Sequence, residues 1–318
     1  MAVATKPQSG AVVNPLQVAM LDRKPRSLWS DAWIRLRRNK AAMTGLAIIL
    51  LFYLIAIFAS YIAPFGYNDQ YTEFSTMRPF WMKHSDPRFI FGTDGIGRDV
   101  LSRAIYASQV SMAVGVIPIS LYLIIGGTLG MTAGFLGGRV DNALMRLTDI
   151  VYAFPGLLFL IIMGVAFRDS WLGGQLHGLV LVFVSLAVVG WEGMARLVRG
   201  QVLQAKEKEY VEAARMIGAS TPRIMTKHIM PNILAPLIVS IAFSVPTAII
   251  AEAGLSFLSL GIKGPFPSWG SMIVEGEQTI FNQPGVVLVP SLCIALIMLS
   301  FTFLGDGLRD ALDPRMKQ

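Results

Sequence analysis

Six long stretches without a charged side chain constrain the fold of this chain more than any other feature of its sequence. They run over 41–68, 104–138, 150–167, 170–191, 228–251 and 278–305, and each has 18 or more residues without Asp, Glu, Lys or Arg. About 20 apolar residues in a helix cross the hydrocarbon core of a bilayer. A helix also satisfies its own backbone groups, for which hydrocarbon offers no partner. The pattern predicts an all-α polytopic membrane protein with six transmembrane helices.

The composition of the 318-residue chain agrees with this prediction. Hydrophobic residues make up 54% of the chain and charged residues 15%, whereas soluble domains carry about 25% charged residues. A single cysteine, Cys293, excludes an intrachain disulfide framework and a cysteine-rich metal site. The net charge of +7 would suggest nucleic acid for a soluble protein, but in an apolar chain the placement of the charges matters more. We therefore expect a lipid bilayer as partner and no nucleic acid.

The distribution of Lys and Arg predicts that both termini are cytoplasmic. With the N-terminus inside, the inside segments hold 20 of these residues and the outside segments hold 7, as the positive-inside rule requires. We expect a mobile cytoplasmic tail over 1–27, a basic interfacial helix over 28–40, the six-helix domain over 41–305, and a second cytoplasmic tail over 306–318. Trp29 and Trp33 stand one helical turn apart, which suits a helix lying in the membrane interface.

Small residues recur within the second stretch, at Gly115, Gly126, Gly127, Gly130 and Gly134. Glycines on the surface of a transmembrane helix let a neighbouring helix approach closely. The second span, which we place near 108–134, is therefore expected to pack tightly within a helix bundle.

The chain carries none of the common catalytic motifs. It has no Gly-Lys-Ser/Thr of a P-loop, no His-Glu-x-x-His, no Cys-x-x-Cys and no Gly-x-Ser-x-Gly. Two carboxylates, Glu192 and Glu252, fall at the predicted ends of spans, where they serve either as solvated helix ends or as pathway groups. We expect no catalytic residue, no metal and no cofactor, so that energy for any active transport must come from a partner.

The segment 196–231 is the longest of the predicted cytoplasmic connections. Residues 201–217 are rich in helix formers, and Gly218 suits the C′ position that follows a helix. Thr221 suits the N-cap of a second helix with Pro222 at its first position. The resulting helix–turn–helix is either a docking surface for another protein or a solvated basic connector, and the residue pattern alone favours neither.

This segment carries the first specific resemblance. Glu212-Ala213-Ala214, followed by Gly218 and by Pro231, resembles the EAA loop of ABC importer permeases. The stretch before the proline reads His-Ile-Met, where the peptide-importer subgroup usually has His-Ile-Leu. The resemblance implies that Glu212, Ala213, Ala214, Gly218 and Pro231 couple this chain to a separate ATPase subunit.

Further motifs appear in the expected order along nearly the whole chain. They are Phe-Gly-Thr-Asp-Gly-Ile-Gly-Arg-Asp over 91–99, Ala-Phe-Pro over 153–155, Ala-Glu-Ala-Gly-Leu-Ser-Phe-Leu-Ser-Leu-Gly over 251–261, and Leu-Gly-Asp-Gly-Leu-Arg-Asp-Ala-Leu-Asp-Pro-Arg over 304–315. Together they resemble the C-type permease of dipeptide, oligopeptide and nickel ABC importers. The resemblance implies an importer-permease (MetI-like) bundle in a bacterial or archaeal plasma (inner) membrane.

The same resemblance implies an assembly and a substrate class. The partners would be a homologous second permease, two ABC ATPase subunits and an extracytoplasmic substrate-binding protein. Peptides are the implied substrates, with nickel or another small solute as the alternative. An ion-coupled secondary transporter is a further alternative, which the ion-poor spans disfavour.

Two outer segments hold candidate contacts for the binding protein or the substrate. The first is the glycine-rich segment 92–99, with Asp94, Arg98 and Asp99, for which the residues themselves favour the alternative of a structural turn. The second is Pro-Phe-Pro-Ser-Trp-Gly over 265–270, with Ser268 and Trp269, where we expect the indole to lie at headgroup depth.

Overall fold

The computed structural model describes residues 28–313, and these residues are mostly helical. The tail predicted over 1–27 and the last residues of the tail predicted over 306–318 lie outside the described residues. The helices are α1 (Leu28–Arg38), α2 (Lys40–Ile57), α3 (Ala59–Ile62), α4 (Val100–Leu136), α5 (Gly138–Tyr152), α6 (Gly156–Phe167), α7 (Trp171–Gly174), α8 (Leu179–Ala205), α9 (Glu209–Met216), α10 (Thr221–Arg223), α11 (Met230–Phe257), α12 (Trp269–Gly276) and α13 (Pro284–Leu312). Short 3₁₀ turns cover Thr72–Phe74, Gln175–Gly178 and Glu277–Thr279, and a π-helical segment covers Ile224–Ile229.

Five helical segments are long and apolar enough to cross a membrane. They are Lys40–Ile57, Val100–Leu136, Trp171–Ala205, Thr221–Phe257 and Pro284–Leu312. A sixth span is formed if α5 and α6, which meet at an angle of 75°, are taken as one broken span. The predicted all-α membrane bundle is therefore confirmed, with five candidate spans and a sixth if the bent pair is counted as one.

The third span differs from the straight helix predicted over 150–167. Pro155 cannot continue a helix from the preceding turn, because it lacks a backbone N–H and crowds the residue before it. Accordingly, α5 ends at Tyr152 and α6 starts after Pro155. The 12 residues of α6 rise only about 18 Å, less than the hydrocarbon thickness.

The fourth span extends beyond the predicted 170–191, because α8, which follows the short turns over 171–178, continues to Ala205. Charged side chains beyond Trp191 do not interrupt the helix, since two of them pair with α5. Arg196 Nη2 lies 2.7 Å from Asp149 Oδ1, and Arg199 Nε lies 2.6 Å from Asp141 Oδ1. The uncharged stretch 170–191 thus predicted the apolar part of the fourth span but not the residue at which its helix ends.

The helices α4 and α8 form the most extensive contact in the bundle. Gly126, Gly130 and Gly134 of α4 repeat every four residues and face α8 backbone carbonyls. A Cβ atom at any of them would collide with those carbonyls, so the close approach expected from the glycines is confirmed at these three positions.

The buried apolar residues form three clusters. The central cluster lies between α2, α4, α6, α8, α11, α12 and α13. A second cluster lies where α9 and the π-helical segment meet α4, α8 and α11. A third joins α1 and α2 to the end of α13. The second cluster attaches the segment with the EAA-like motif directly to the bundle.

Candidate functional site

The predicted coupling loop 196–231 is shortened at its start, because α8 continues to Ala205. The remaining segment 206–231, called the coupling segment below, is anchored by the inner face of α9. Val211 and Ala214 point inward and are buried against Ile224 and Ile229. Positions 211 and 214 are three residues apart and therefore share one face of the helix. The short α9 is stabilised by this packing, since eight residues are too few to form a stable helix in isolation.

The outer face of α9 is open to solvent. Of the five residues predicted to couple to an ATPase, Glu212, Ala213, Gly218 and Pro231 are exposed. Ala214 differs from the other four, because only 3% of it is exposed and its side chain faces the bundle. A small residue is needed there because the helix packs closely on the bundle beneath it.

Sequence reasoning missed the two largest apolar side chains on this surface. Met216 is 86% exposed and Ile217 is 83% exposed at the end of α9. Large apolar side chains this exposed on a polar segment indicate a protein contact. The sequence could have predicted this exposure, because the two apolar residues directly precede the C′ glycine. At that point the helix ends and the chain turns away from the bundle.

Gly218 occupies the C′ position that the sequence predicted. Its φ is +79°, and the N–H groups of Gly218 and Ala219 donate to the carbonyl oxygens of Arg215 (2.9 Å) and Ala214 (3.0 Å). These two bonds form a Schellman motif, which ends the helix and satisfies its last carbonyls. The next helix is shifted by one residue from the prediction, because Ser220 rather than Thr221 is its N-cap.

The second helix of the coupling segment is not a separate short element. The turn α10 continues through the π-helical segment Ile224–Ile229 into α11 without a break. On the other side, Lys206 Nζ donates to the carbonyl oxygen of Gly134 (3.1 Å), and the Arg215 guanidinium lies 5.5 Å from the centre of the Phe135 ring. The coupling segment is therefore connected to α4, α8 and α11.

Asp94 and Arg98 of the glycine-rich segment 92–99 are buried and belong to a network of four charged side chains, while Gly95 and Ile96 are exposed. Arg98 Nε lies 2.6 Å from Asp94 Oδ2, and Arg98 Nη2 lies 2.7 Å from Glu275 Oε2. Arg103 Nη2 also lies 2.7 Å from Glu275 Oε2, and only 2% of the Arg103 side chain is exposed. The network joins the start of α4 to α12, and Glu275 could not be found from sequence because it lies 177 residues from Arg98.

Asp99 is the N-cap of α4. Its Oδ2 accepts hydrogen bonds from the backbone N–H (2.7 Å) and the hydroxyl (2.6 Å) of Ser102. Burial raises the pKa of the Asp99 carboxyl, and the hydrogen bonds from Ser102 act in the opposite direction. Because Asp94, Arg98 and Asp99 are all buried, none of them can contact a binding protein in this conformation. The geometry favours the structural alternative for this segment.

Ser268 and Trp269 are also buried, so the indole faces the interior of the bundle rather than lipid. Trp269 Nε1 donates to the carbonyl oxygen of Ala104 (3.1 Å), and its ring packs edge-on against Phe52 with 5.4 Å between ring centroids. Ser268 caps α12 by accepting a hydrogen bond from the backbone N–H of Ser271. These two residues fix α12 in the bundle.

Glu252 is fully buried rather than solvated at a span end. Its Oε1 accepts hydrogen bonds from the hydroxyls of Ser256 (2.7 Å) and Ser268 (2.8 Å). The carboxyl thus joins α11 to the N-cap of α12, because the chain folds back on itself between Glu252 and Ser268, which are 16 residues apart.

Two family profiles match this chain. Residues 126–318, a range that includes the whole coupling segment, match the family described as binding-protein-dependent transport system inner membrane component. Residues 27–79 match the N-terminal TM domain of oligopeptide transport permease C. The chain belongs to this permease family. It is a multi-pass protein of the inner membrane.

Relatives of the permease match it over nearly their full length. The oligopeptide transport system permease protein OppC of Bacillus subtilis is 39% identical over 308 residues, which cover 97% of this chain and 96% of that protein. The dipeptide transport system permease protein DppC of Bacillus subtilis is 41% identical over 300 residues, covering 93% and 88%. The family resemblance read from the motifs is confirmed.

The fold of the permease is similar to that of a solved transporter chain. A chain of the MetNI methionine ABC transporter in an inward-facing conformation superposes with a TM-score of 0.51 at 20% identity. The match covers 67% of this chain and 96% of that chain. The MetI-like bundle predicted from the motifs is thereby confirmed.

Proposed function

We propose that this permease is the subunit of an ATP-driven peptide importer that forms half of the translocation pathway. Its relatives are named as oligopeptide and dipeptide permeases. The sequence has no P-loop, so ATP binding and hydrolysis belong to separate ABC ATPase subunits.

The outer face of α9 is the observation that carries this proposal. Met216, Ile217, Ala213 and Glu212 are exposed together on a helix that Val211 and Ala214 anchor to the bundle. Such a surface, apolar at its centre and polar at its edge, has the composition of a protein–protein contact. We assign it to the ATPase subunit, which applies force to the permease through it.

Motion of α9 can reach the pathway through the second apolar cluster. Val211 and Ala214 pack in this cluster with Met131 of α4, Val198 of α8 and Ile233 of α11. Packed interiors are close to incompressible, so a displacement of α9 is passed to its neighbours rather than absorbed. Alternating access would then follow from the movement of α4, α8 and α11 relative to a second permease.

The proposed assembly comprises this chain, a homologous second permease, two ATPase subunits and an extracytoplasmic substrate-binding protein. Both termini and the coupling segment are assigned to the cytoplasm. The helix α1 is assigned to the cytoplasmic interface, where Trp29 and Trp33 are half exposed and Arg37 lies 5.5 Å from the centre of the Trp33 ring.

Reconstitution of the assembly in liposomes tests the proposal. We expect uptake of di- or oligopeptides that requires the binding protein and ATP. Uptake of nickel or another small solute in place of peptides would refute the substrate class. Uptake driven by an ion gradient without ATP would refute the importer assignment altogether.

A further inference from the structure

A carboxylate near the middle of α8 is left without a charged partner among the residues that the structure describes. Glu192 was expected at a span end, but α8 runs from Leu179 to Ala205 and places Glu192 near its middle. Glu192 Oε2 is buried and has no hydrogen-bond partner among residues 28–313, and the residue forms no ion pair within that range. A carboxylate at membrane depth is costly to bury, and such residues generally serve a pathway.

Glu192 lacks an ion-pair partner although a cationic side chain, Arg196, lies one helical turn away. Glu and Arg at positions i and i+4 of a helix ordinarily pair. Arg196 instead directs its guanidinium to Asp149 Oδ1 (2.7 Å) and lies 4.0 Å from the centre of the Tyr152 ring. The pair formed with α5 thus leaves the Glu192 carboxylate available to another cation.

Glu192 lines a cavity of about 480 Å³ between α4, α6, α8 and α11. The cavity is otherwise lined by apolar and hydroxyl side chains, and Glu192 is the one carboxylate on its wall within the described residues. Its volume lies in the range typical of small-molecule sites. The lining residues that matter below are Tyr122, Gly190, Glu192, Ser240, Ser244 and Thr247.

The α11 side of the cavity presents hydrogen-bond acceptors. Ser244 Oγ donates its hydrogen to the carbonyl oxygen of Ser240 (2.9 Å), and Thr247 Oγ1 donates to that of Phe243 (3.3 Å). A hydroxyl that donates to its own helix retains lone pairs for a ligand. Hydroxyl lone pairs opposite a carboxylate suit a donor group with several N–H bonds, and an ammonium group has three.

Tyr122 completes the cavity wall because residue 190 is glycine. A Cβ atom added at Gly190 would overlap the Tyr122 ring, so the ring lies directly on the α8 backbone. This places an aromatic side chain beside the Glu192 carboxylate on the same cavity wall. Aromatic rings also attract cations through their negative faces.

We propose that Glu192, with the hydroxyls of Ser244 and Thr247, forms a site within the helix bundle for the ammonium group of a translocating substrate. The inference rests on the proposed importer function, and the ammonium in question is then the amino terminus of a peptide, which is largely protonated at neutral pH. A charge-assisted hydrogen bond to the carboxylate offsets part of the cost of bringing that charge into the membrane. The site is passed rather than occupied permanently, since a single carboxylate holds an ammonium only weakly.

A charge-reporter experiment tests the site without depending on any substrate. Ser244→Cys is introduced in a Cys293→Ser background, and membranes containing the assembled complex are treated with two methanethiosulfonates of similar size. One reagent carries trimethylammonium and the other carries sulfonate. We expect the cationic reagent to react faster, and Glu192→Gln to lower the cation-to-anion rate ratio about tenfold. Glu277→Gln, the same change at an exposed carboxylate, should leave the ratio unchanged.

Two results of the labelling experiment would overturn the proposal. A ratio that does not change in Glu192→Gln would show that the cavity carries no negative charge from this residue. Failure of both reagents to label Ser244→Cys in any nucleotide state would show that the cavity is not on the pathway.

Uptake by the reconstituted complex provides the second measurement. Glu192→Gln should reduce ATP-driven peptide uptake about tenfold, while Glu192→Asp should restore a large part of it and Glu277→Gln should have no effect. Normal uptake by Glu192→Gln would refute the ammonium site while leaving the importer function intact. Absence of peptide uptake by the unmodified complex would instead refute the proposed function.

Discussion

Gly130 of α4 lies directly against the backbone carbonyl oxygen of Ala195 in α8. A Cβ atom at position 130 would overlap that oxygen and lie 2.9 Å from Val198 Cβ. The contact is between backbones, so it cannot relax by rotation of a side chain. It sets the distance between the two helices that carry Tyr122 and Glu192.

Gly130→Ala should therefore destabilise the bundle. Overpacking at a rigid contact costs about 1–3 kcal/mol. The measurement is thermal unfolding of the purified complex in detergent, with the yield of assembled complex as a second readout. Gly127→Ala is the matched control, because its Cβ would meet only Leu123 Cδ1 at 3.9 Å, and alanine gains up to about 1 kcal/mol over glycine in a helix. Equal stability of the two variants would contradict the contact.

Gly218→Val should weaken ATPase docking and abolish transport. No heavy atom lies within 4 Å of a Cβ added there, so the effect comes from backbone strain at φ +79°, which costs about 1–3 kcal/mol for a β-branched residue. Co-purification with the ATPases and peptide uptake are measured side by side. Gly218→Asn is the control, since asparagine tolerates positive φ, and it should retain most of both activities. If valine behaved like asparagine, the Schellman turn would have no part in coupling.

The exposed pair at the end of α9 should account for much of the docking affinity. Replacing Met216 and Ile217 together by Glu places charge in an apolar contact and should lower ATPase co-purification by tenfold or more. The control is Phe281→Glu, which changes an equally exposed apolar residue far from α9. Co-purification at the normal level in the double variant would assign ATPase docking to another surface.

Glu275→Ala should destabilise the connection between α12 and the start of α4. The change removes the Glu275 carboxylate with which the nearly buried Arg98 and Arg103 guanidiniums pair. Leaving buried donors without this acceptor lowers the free energy of unfolding by about 1–3 kcal/mol. We expect a lower midpoint of thermal unfolding, measured by tryptophan fluorescence because Trp269 lies in the same helix. Glu277→Ala, at an exposed position two residues further on, should leave the midpoint unchanged. The reverse order of effects would exclude a structural role for the network.

The orientation of the chain can be tested by cysteine labelling in intact cells. In a Cys293→Ser background, His84→Cys should react with a membrane-impermeant maleimide, and Arg215→Cys should react only after the membrane is opened. Both positions are exposed, so accessibility to reagent is decided by the side of the membrane. Reaction of Arg215→Cys in intact cells would place the coupling segment outside and invert the topology.

Local sequence was sufficient for features that depend on neighbouring residues. The apolar stretches predicted the membrane bundle because each stretch of about 20 apolar residues is long enough to span the hydrocarbon core, whatever the rest of the chain does. Gly218 was predicted at C′ because a left-handed turn depends on the residue that adopts it. The glycines of α4 likewise predicted a close contact with another helix, but the sequence did not identify that helix as α8.

Tertiary structure alone decided which of the singled-out residues face a partner and which face the interior. Ala214 and Asp94 carry no mark of burial in the sequence, because their surroundings come from distant segments. Trp269 bonds to a carbonyl 165 residues away and Arg98 to a carboxylate 177 residues away. Glu192 lies within α8 rather than at its end because the helix continues past the uncharged stretch 170–191, and Arg196 pairs with α5 instead of within its own helix. Periodicity and composition describe one helix at a time, whereas burial and charge pairing belong to the space between helices.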